Sequence, residues 1–369
     1  MRLLRLELQN FRNHRESCAD LEGRPTLLLG ENGSGKTNWI EAAALISIGR
    51  SFRGARDRDL VRRGADAYEV RATLEGRAGA PRSVTVRGSL RGPREVLLDG
   101  APVSRLADLL GRVPTVQFSV EDVAVLNGDP AGRRRFLDVA LCQLEPAYVG
   151  ALREYLAALK QRNRLLAESL KRGGLADEEE SAAWEEILAR TGVEIDRRRA
   201  LLCTELNGRI EGLGNLVDGD LALGLEYGEE VESSARRAER LEEARPRDRR
   251  WGWTSIGPHR ARVHCRIQGR ELNDGASRGF ARLYSILVRL ALAEVLDERL
   301  GEPPVVLLDD PESELDPRWI GRLLALVPNG SQAIVTACRP LTASPDRFHV
   351  IPIESCAAEE AVATGGTRS

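Results

Sequence analysis

The sequence predicts an α/β fold whose parallel sheet is built from both ends of the chain, with a helical segment inserted between them. Three observations lead to this prediction. Near the N-terminus, a short apolar run precedes a glycine-rich loop and a helical pattern, the order of a strand–loop–helix unit. Near the C-terminus, a second apolar run ends in two carboxylates, at the kind of sheet edge where ligands bind. Between these runs, amphipathic helical periodicity dominates residues 126–250.

The N-terminal loop has the pattern of a phosphate-binding loop. Thr26–Leu29 predicts a buried strand, residues 30–37 fit G-x-x-x-x-G-K-[ST], and an apolar helical pattern follows. Glycines let backbone N–H groups surround phosphate oxygens, and the helix start adds its positive dipole end. We expect Lys36 to reach the β- and γ-phosphates and Thr37 to ligate Mg²⁺. The nucleotide contacts predicted in this segment are Gly30, Glu31, Asn32, Gly33, Ser34, Gly35, Lys36, Thr37 and Asn38. The alternative, a glycine-rich turn that merely precedes a helix, fits the flanking strand and helix less well.

Lysine is scarce in this chain, which strengthens the interpretation of the loop. The chain has 54 basic residues, and only Lys36, Lys160 and Lys171 are lysines. An ammonium is a compact point charge, whereas a guanidinium is a planar fork, so a retained lysine indicates a place that needs the former.

The C-terminal apolar run, Pro304–Leu308, predicts a central parallel strand with Asp309 and Asp310 at its tip. We expect Asp309 to hold Mg²⁺ and Asp310 to orient or deprotonate an attacking water. A strand that ends in a pair of helix-capping aspartates is the alternative, and the phosphate-binding loop favours the metal site. Upstream, Ser277 and Gly279 open a long helical pattern and form a second candidate phosphate site, or in the simpler interpretation an N-cap.

Further patterns extend the sheet prediction. Residues 331–336 predict the next buried strand, and residues 68–74 and 83–87 alternate as antiparallel strands do. Residues 97–103 predict a hairpin with an Asp99-Gly100 turn. We therefore expect an antiparallel sheet beside the parallel one.

Composition excludes several classes of protein. The chain has 369 residues and a formal net charge of −2, with no apolar run long enough for a membrane span and no signal-peptide pattern at the start. Its six cysteines form no C-x-x-C pair, which disfavours a zinc ribbon or a secreted disulfide framework. We expect a cytoplasmic protein that would bind nucleic acid only through a local basic face.

Together and in this order, these motifs resemble those of the SMC/Rad50-like ABC-type ATPases. The elements that carry the resemblance are Phe11-Arg12-Asn13, the loop at 30–37, the arginine motif Gly49–Arg53, Gln117 at a Q-loop position, Gly128-Asp129-Pro130 with Arg133–Asp138, Gly257-Pro258-His259-Arg260, the signature-like Ser277-Arg278-Gly279, Asp309-Asp310 and the D-loop Ser313–Asp316. The chain departs from the family pattern at Phe280, Ala261 and Arg262.

The resemblance implies a domain organisation and a site. It implies an ABC-type P-loop ATPase head with a mixed parallel sheet and an antiparallel β subdomain, formed by residues 1–125 and 251–354. A helical arm at 126–250 and a flexible tail at 355–369 complete the chain. The implied catalytic residues are Asp310, Gln117, Lys36 and Ser277, and the implied Mg²⁺ ligands are Thr37, Gln117 and Asp309. Arg12, Asn13, Ser277, Arg278 and Gly279 are implied as further ATP contacts, the last three from a second copy of the chain.

The implied function is an ATP-dependent DNA-binding clamp, with slow, DNA-stimulated ATP hydrolysis, in recombinational repair of gapped DNA and the SOS response. The resemblance names RecR and RecO as partners in loading the RecA recombinase, and single-stranded or junction DNA as the ligand. Candidate DNA contacts are Arg50, Arg53, Arg133, Arg134 and Arg135. The cluster at Arg245, Arg247, Arg249 and Arg250 is another candidate, although charged runs are more often solvated faces.

Three other functions remain open at this stage. A DNA-tethering SMC-like ATPase would need a longer arm. A transporter ATPase would carry a histidine in the region where Thr336 and Ala337 stand. A P-loop kinase would act as a monomer and transfer phosphate to a second substrate.

Overall fold

A computed structural model of the chain describes residues 1–51, 53–76, 79, 81–119, 130–171, 178–215, 223–272, 278–313, 320–321, 324–341 and 348–354. The chain forms two compact units. The first combines Met1–Ala124 with Ala276–Ser369, and the second is Val125–Gly275. Within the described residues, no helix combines the length and the apolar character that crossing a membrane requires.

The first unit contains two sheets and three described α-helices. Its strands are β1 Arg2–Phe11, β2 His14–Asp20, β3 Thr26–Leu29, β4 Ala67–Glu75, β5 Pro81–Ser89, β6 Glu95–Leu98, β7 Ala101–Pro102, β8 Thr115–Phe118, β12 Val305–Leu308, β13 Ala333–Ala337 and β14 His349–Pro352. Its helices are α1 Lys36–Ile48, α2 Asp57–Leu60 and α7 Arg278–Leu300. Short 3₁₀ turns lie at Leu106–Asp108 and Pro311–Ser313.

The parallel sheet has the order β14-β3-β13-β12-β8, and all its described pairings are parallel. Every residue of β12 and β13 is buried, which explains their continuous apolar character. Helix α1 is buried almost all round, so it packs within the core rather than on its surface. The predicted parallel core from both chain ends is confirmed, and it places the C-terminal ends of β3 and β12 at one edge.

The second sheet is antiparallel, in the order β2-β1-β4-β5-β6-β7. The tight turn between β6 and β7 has positive φ at both central residues, 52° at Asp99 and 80° at Gly100, as a two-residue type I′ hairpin requires. Asp99 also accepts a hydrogen bond from the backbone N–H of Ser83 at 2.8 Å, which ties the turn to β5.

The second unit is mainly helical. Its helices are α3 Pro130–Leu144, α4 Pro146–Lys171, α5 Glu178–Asn215 and α6 Ser234–Trp251. A small sheet of order β11-β10-β9 is formed by β9 Leu223–Tyr227, β10 Val263–Ile267 and β11 Arg270–Glu271. Helix α5 has 38 residues, which makes it about 57 Å long at about 1.5 Å per residue.

A buried ionic cluster joins three of these helices. Arg162 on α4 is completely buried and donates to Glu185 on α5 at 2.9 Å, to Asp248 on α6 at 2.7 Å and to the hydroxyl of Thr254 at 2.8 Å. Because one cation satisfies two carboxylates from different helices, its fork geometry fixes how α4, α5 and α6 pack.

The boundary of the helical unit differs from the prediction. Residues 251–275 were assigned to the ATPase head, and the structure places them with the helical unit. The physical reason is pairing: β10 joins β9 with Val263 opposite Tyr227, and the backbone N–H of Thr254 donates to the Asn163 side chain at 2.7 Å. The predicted tail at 355–369 lies outside the described residues.

Candidate functional site

The loop between β3 and α1 is held by the edge of the parallel sheet. The backbone N–H of Gly30 donates to the carbonyl oxygen of Ala337, the last residue of β13, at 3.2 Å. Gly35 has a φ of 100°, and a Cβ there would lie 2.7 Å from the Asn13 amide nitrogen. Only glycine fits this position, since both its left-handed backbone and the close approach exclude a side chain.

Lys36 lies inside the loop. Its ammonium donates to the carbonyl oxygens of Gly30 and Glu31 at 2.6 and 2.7 Å and lies 3.6 Å from the sulfur of Cys338. The side chain is only 7% exposed. The charge is therefore held by the backbone that would also surround a bound phosphate.

Asp309 stands at the tip of β12 between two hydroxyl donors. The Thr37 and Thr336 hydroxyls donate to the same Asp309 oxygen, at 3.1 and 2.8 Å. Burial raises the pKa of the Asp309 carboxyl, while these two hydrogen bonds and the positive charge of Arg53 act in the opposite direction. Asp309 and Thr37 thus present adjacent oxygen atoms of the hard type that Mg²⁺ prefers, and this donor set fits that ion.

Asp310 follows with an unusual backbone. Its φ is 46°, a left-handed value that is uncommon outside glycine, and its N–H donates to the Thr336 hydroxyl at 2.8 Å. Thr336 therefore bonds both aspartates, and the strained backbone points to a position set by the site rather than by local preference.

These groups surround one cavity of about 220 Å³. Its lining residues are Asn32, Gly33, Gly35, Lys36, Thr37, Asn38, Asp309, Asp310 and Thr336. The structure thus brings together the two sequence motifs that we expected to meet, although they lie at opposite ends of the chain.

The remaining loop residues support the cavity from outside. Asn38 donates to the side-chain oxygen of Asn13 at 2.6 Å, and the Asn13 amide lies 3.5 Å from the carbonyl oxygen of Ser34. The Ser34 hydroxyl is buried and has no hydrogen-bond partner among the described residues. Asn13 therefore braces the loop, whereas sequence reasoning made it a direct nucleotide contact.

Arg12 does not line the cavity. Its guanidinium forms a two-pronged ion pair with the buried Glu41, with both N–O distances at 2.8 Å, and also donates to the carbonyl oxygen of Asp59. A completely buried carboxylate needs such a partner, so the geometry gives Arg12 a structural task in place of the predicted ATP contact.

Gln117 also lies away from the cavity. It is inside β8 and pairs with Leu307, two residues before Asp309, so it lies about 6 Å below the tip of the sheet. Its side-chain nitrogen is buried without a hydrogen-bond partner among the described residues. The predicted role in metal binding and catalysis finds no support in this placement.

The signature-like segment is only partly described. Ser277 lies outside the described residues, and Arg278 is the first residue of α7. Gly279 is exposed in the first turn, with open space around the position of a Cβ. The start of α7 therefore offers an accessible N-terminus.

The candidate DNA contacts differ in exposure. Arg50, Arg53 and Arg135 are exposed, Arg134 is partly exposed, and Arg133 is only 8% exposed. The burial of Arg133 argues against a phosphate contact, because helical periodicity turns it inward beside an outward Arg135. In the other basic cluster, Arg245 forms an ion pair with the buried Glu185 at 2.7 Å and is not a free cation.

Thr336 is the site residue that sequence reasoning missed as a functional group. It entered only as the residue standing where a transporter has a histidine. Its position at the end of a buried strand, beside an acidic strand, is the signal that could have identified it, since polar side chains at such strand ends converge.

Replacing Thr336 with valine should lower Mg²⁺-dependent ATP hydrolysis by about 10- to 100-fold, because this residue orients the metal-binding carboxylate. The substitution keeps the shape and removes the hydroxyl that bonds Asp309 and Asp310. Thr336→Ser is the matched control, since it keeps the hydroxyl, and it should retain most of the activity. Equal losses in both variants, measured by phosphate release at saturating Mg²⁺, would contradict this role.

Comparison with known proteins agrees with the geometry. Residues 2–348 match the RecF/RecN/SMC N terminal domain family. A protein named DNA replication and repair protein RecF from an Anaeromyxobacter species is 38% identical over 350 residues, covering 91% of this chain and 92% of its own. One of the same name from a Cyanothece species is 35% identical over 345 residues and 91% of both chains.

Solved structures show the same relationship. A structure titled as the recombination mediator protein RecF-ATP in the RecFOR pathway superposes with a TM-score of 0.87 at 26% identity, covering 96% of both chains. An Smc head domain derived from Pyrococcus furiosus superposes with a TM-score of 0.56 at 17% identity, over 99% of this chain and 100% of its own, which shows a shared fold.

Proposed function

This chain belongs to the RecF members of the RecF/RecN/SMC family of DNA replication and repair ATPases, and on that basis we propose that it is an ATP-gated DNA clamp. One observation carries the proposal: Lys36, Thr37, Asp309 and Asp310 line a single cavity of about 220 Å³ beneath a glycine-rich loop. Lysine, backbone amides, a hydroxyl and two carboxylates are the groups that phosphoryl transfer from a nucleoside triphosphate requires.

Binding uses the loop and its lysine. The N–H groups of the loop and the start of α1 hold the phosphates, and the Lys36 ammonium exchanges its carbonyl contacts for phosphate oxygens. Thr37 and Asp309 would hold Mg²⁺, which when bound neutralises charge on the phosphates. Asn13 and Asn38 keep the loop in shape.

For hydrolysis, Asp310 orients the attacking water and accepts its proton. The Thr336 hydroxyl fixes the Asp310 backbone and the Asp309 carboxylate in one bonded array, so the two acids keep distinct roles. Gln117 takes no part in this scheme, because it lies two residues short of the sheet edge.

The gate is a head-to-tail dimer. The loop of one copy and the start of α7 of another, with Ser277, Arg278 and Gly279, would enclose each nucleotide. Contacts to the γ-phosphate exist only while ATP is intact, so ATP favours the dimer by differential binding and hydrolysis releases it. The exposed Gly279 supports this arrangement, since a second molecule can approach its backbone closely.

The biological setting is proposed from the relatives. Their names and the RecFOR title support recombinational repair of gapped DNA, the SOS response and, with RecR and RecO, the loading of RecA. The DNA ligand would be a single strand or a junction. The protein would act in the cytoplasm as a slow, DNA-stimulated ATPase.

The exposed Arg135 tests the DNA face. Arg135→Glu should weaken ATP-dependent binding to gapped DNA by about 10-fold at physiological salt, and the slope of log affinity against log salt should fall by about one phosphate contact. Arg270→Glu is the matched control, because it makes the same charge change at an exposed arginine of the same unit. Fluorescence anisotropy titrations at several salt concentrations measure both. Equal losses for the two variants would show a general charge effect, and no loss for either would move the DNA face away from α3.

A further inference from the structure

Two tryptophans of the helical unit form an exposed aromatic stack. The rings of Trp251 and Trp253 are nearly parallel, with centroids 4.8 Å apart and an angle of 24° between their planes. Trp251 is 46% exposed, a large value for an aromatic ring of this size. The ATP site uses neither residue.

The local sequence builds this stack. Helix α6 ends at Trp251, and Gly252 takes a left-handed φ of 75° while its N–H donates to the carbonyl oxygen of Asp248 at 2.8 Å. This glycine cap reverses the chain within one residue and brings Trp253 onto Trp251. Leu170 lies beside the same turn and is 53% exposed, so the patch is apolar as well as aromatic.

Two guanidinium groups lie against the rings. The Arg260 Cζ atom is 4.0 Å from the Trp253 ring centroid, and the Arg247 Cζ atom is 5.4 Å from that of Trp251. Arg247 also donates to the Ser255 hydroxyl at 2.6 Å. Among the described residues, neither guanidinium lies within ion-pair distance of a carboxylate.

That charge pattern is unusual for this unit. Elsewhere in the helical unit, arginines are matched by acids, as in the buried pairs of Arg162 with Asp248 and Arg237 with Asp196, both at 2.7 Å. At the stack, positive charge is left for a ligand. An exposed ring that is flanked by unmatched guanidiniums is complementary to a group with a flat face and a nearby negative charge.

We propose that the exposed Trp251 ring is a stacking platform for an unpaired base of single-stranded DNA, with Arg247 and Arg260 close to the adjoining phosphates. The inference rests on the DNA binding proposed above and adds the kind of strand that is recognised. A single strand offers free base faces and closely spaced phosphates, whereas an intact duplex keeps its base faces stacked inside. An acid-poor, arginine-flanked stack fits that ligand better than the apolar face of a protein.

The stack also borders the arginine row of α3. Arg134 donates to the carbonyl oxygen of Ala261, the residue that follows Arg260, at 2.9 Å. A strand that contacts Arg135 through its phosphates is therefore close to a ring that can hold one of its bases. The platform would distinguish the single-stranded part of a gap from its duplex flank.

The test compares three DNA probes on the full-length protein with a non-hydrolysable ATP analogue. The probes are a labelled oligothymidylate, the same strand with abasic sites in place of its bases, and a blunt duplex. The variants are Trp251→Ala and Trp251→Phe. Leu201→Ala is the matched control, since it removes another exposed apolar side chain, 56% exposed, from the same unit.

Trp251→Ala should weaken oligothymidylate binding by about 10-fold, the effect of losing one base–aromatic contact, and leave duplex and abasic binding within about 2-fold. Trp251→Phe should keep most of the affinity, and Leu201→Ala all of it. Oligothymidylate should quench wild-type tryptophan fluorescence, and Trp251→Phe should lose that quenching.

Unchanged oligothymidylate binding by Trp251→Ala would overturn the platform, as would equal losses for single strand and duplex. If Trp251→Ala instead abolished self-association in light scattering and left DNA binding intact, the stack would be a protein contact and the inference wrong. A wild-type protein that binds none of the three probes with ATP would overturn the proposed clamp itself, an outcome that the wild-type titration distinguishes.

Discussion

Lys36→Ala is expected to abolish ATP binding, with a loss of affinity of at least about 100-fold. The Lys36 ammonium is 7% exposed and sits in the loop on two carbonyl oxygens at 2.6 and 2.7 Å. On binding it would exchange these for phosphate oxygens, and each charge-assisted hydrogen bond is worth about 1.5–3 kcal/mol. Isothermal titration calorimetry with Mg-ATP measures the loss.

The lysine content of the chain supplies the controls. Lys160→Ala and Lys171→Ala remove the other two lysines, both exposed on α4, and should bind ATP as the wild type does. Lys36→Arg should also bind weakly, because a planar guanidinium does not fit where a compact ammonium lies between two carbonyl groups. Tight ATP binding by Lys36→Ala would disprove the assignment of the loop.

Arg162→Met should destabilise the helical unit by about 3–5 kcal/mol, the cost of leaving buried carboxylates without their cation. Arg162 is completely buried and holds Glu185 and Asp248 at 2.9 and 2.7 Å. Methionine fills much of the space and supplies no charge. Because the chain has two units, hydrogen exchange in peptides from α4 measures the effect where it occurs.

Arg164→Met is the control for that experiment, two residues along the same helix. Arg164 pairs with Glu168 at 3.9 Å, and both side chains are exposed, at 61% and 47%. Such a surface pair contributes about 0–1 kcal/mol. If both variants lost the same stability, the buried cluster would not be what holds α4, α5 and α6 together.

The same cluster sets a pH dependence. Burial alone raises the pKa of the Glu185 carboxyl, but the guanidiniums of Arg245 and Arg162 outweigh it and hold the pKa below its ordinary value. A carboxyl with a depressed folded-state pKa stabilises the fold above its unfolded pKa, and this stability is lost as pH falls through the folded value. The helical unit of the wild type should therefore lose stability in acid, and Arg162→Met should lose less of it.

Local patterns predicted those parts of the fold that depend on neighbouring residues. Strand β3 lies at Thr26–Leu29 as predicted, and the Asp99-Gly100 turn forms the predicted hairpin. Glycine, proline and alternating apolar residues act within a few positions of each other, so their effect can be deduced from the sequence alone. The loop and the acidic strand could be joined only because each has its own signature.

Contacts between distant residues could not be predicted in this way. Arg162 is separated by 86 residues from Asp248, and nothing in either neighbourhood indicates the pairing. The boundary of the helical unit and the role of Thr336 likewise depend on which strands lie side by side. Arg12 was assigned to the nucleotide because its motif lies before the loop, and only the fold shows that Glu41 takes its guanidinium.

The most direct test of an ATP-gated clamp is the mass of Asp310→Asn in solution, measured by light scattering with and without Mg-ATP. This variant should bind ATP and hydrolyse it slowly, so that the gate stays closed. The account predicts one chain of 40.6 kDa without nucleotide and two with it, and a single chain under both conditions when Ser277→Arg is added. A variant that binds Mg-ATP tightly and remains a single chain, on its own and with gapped DNA, would contradict the clamp.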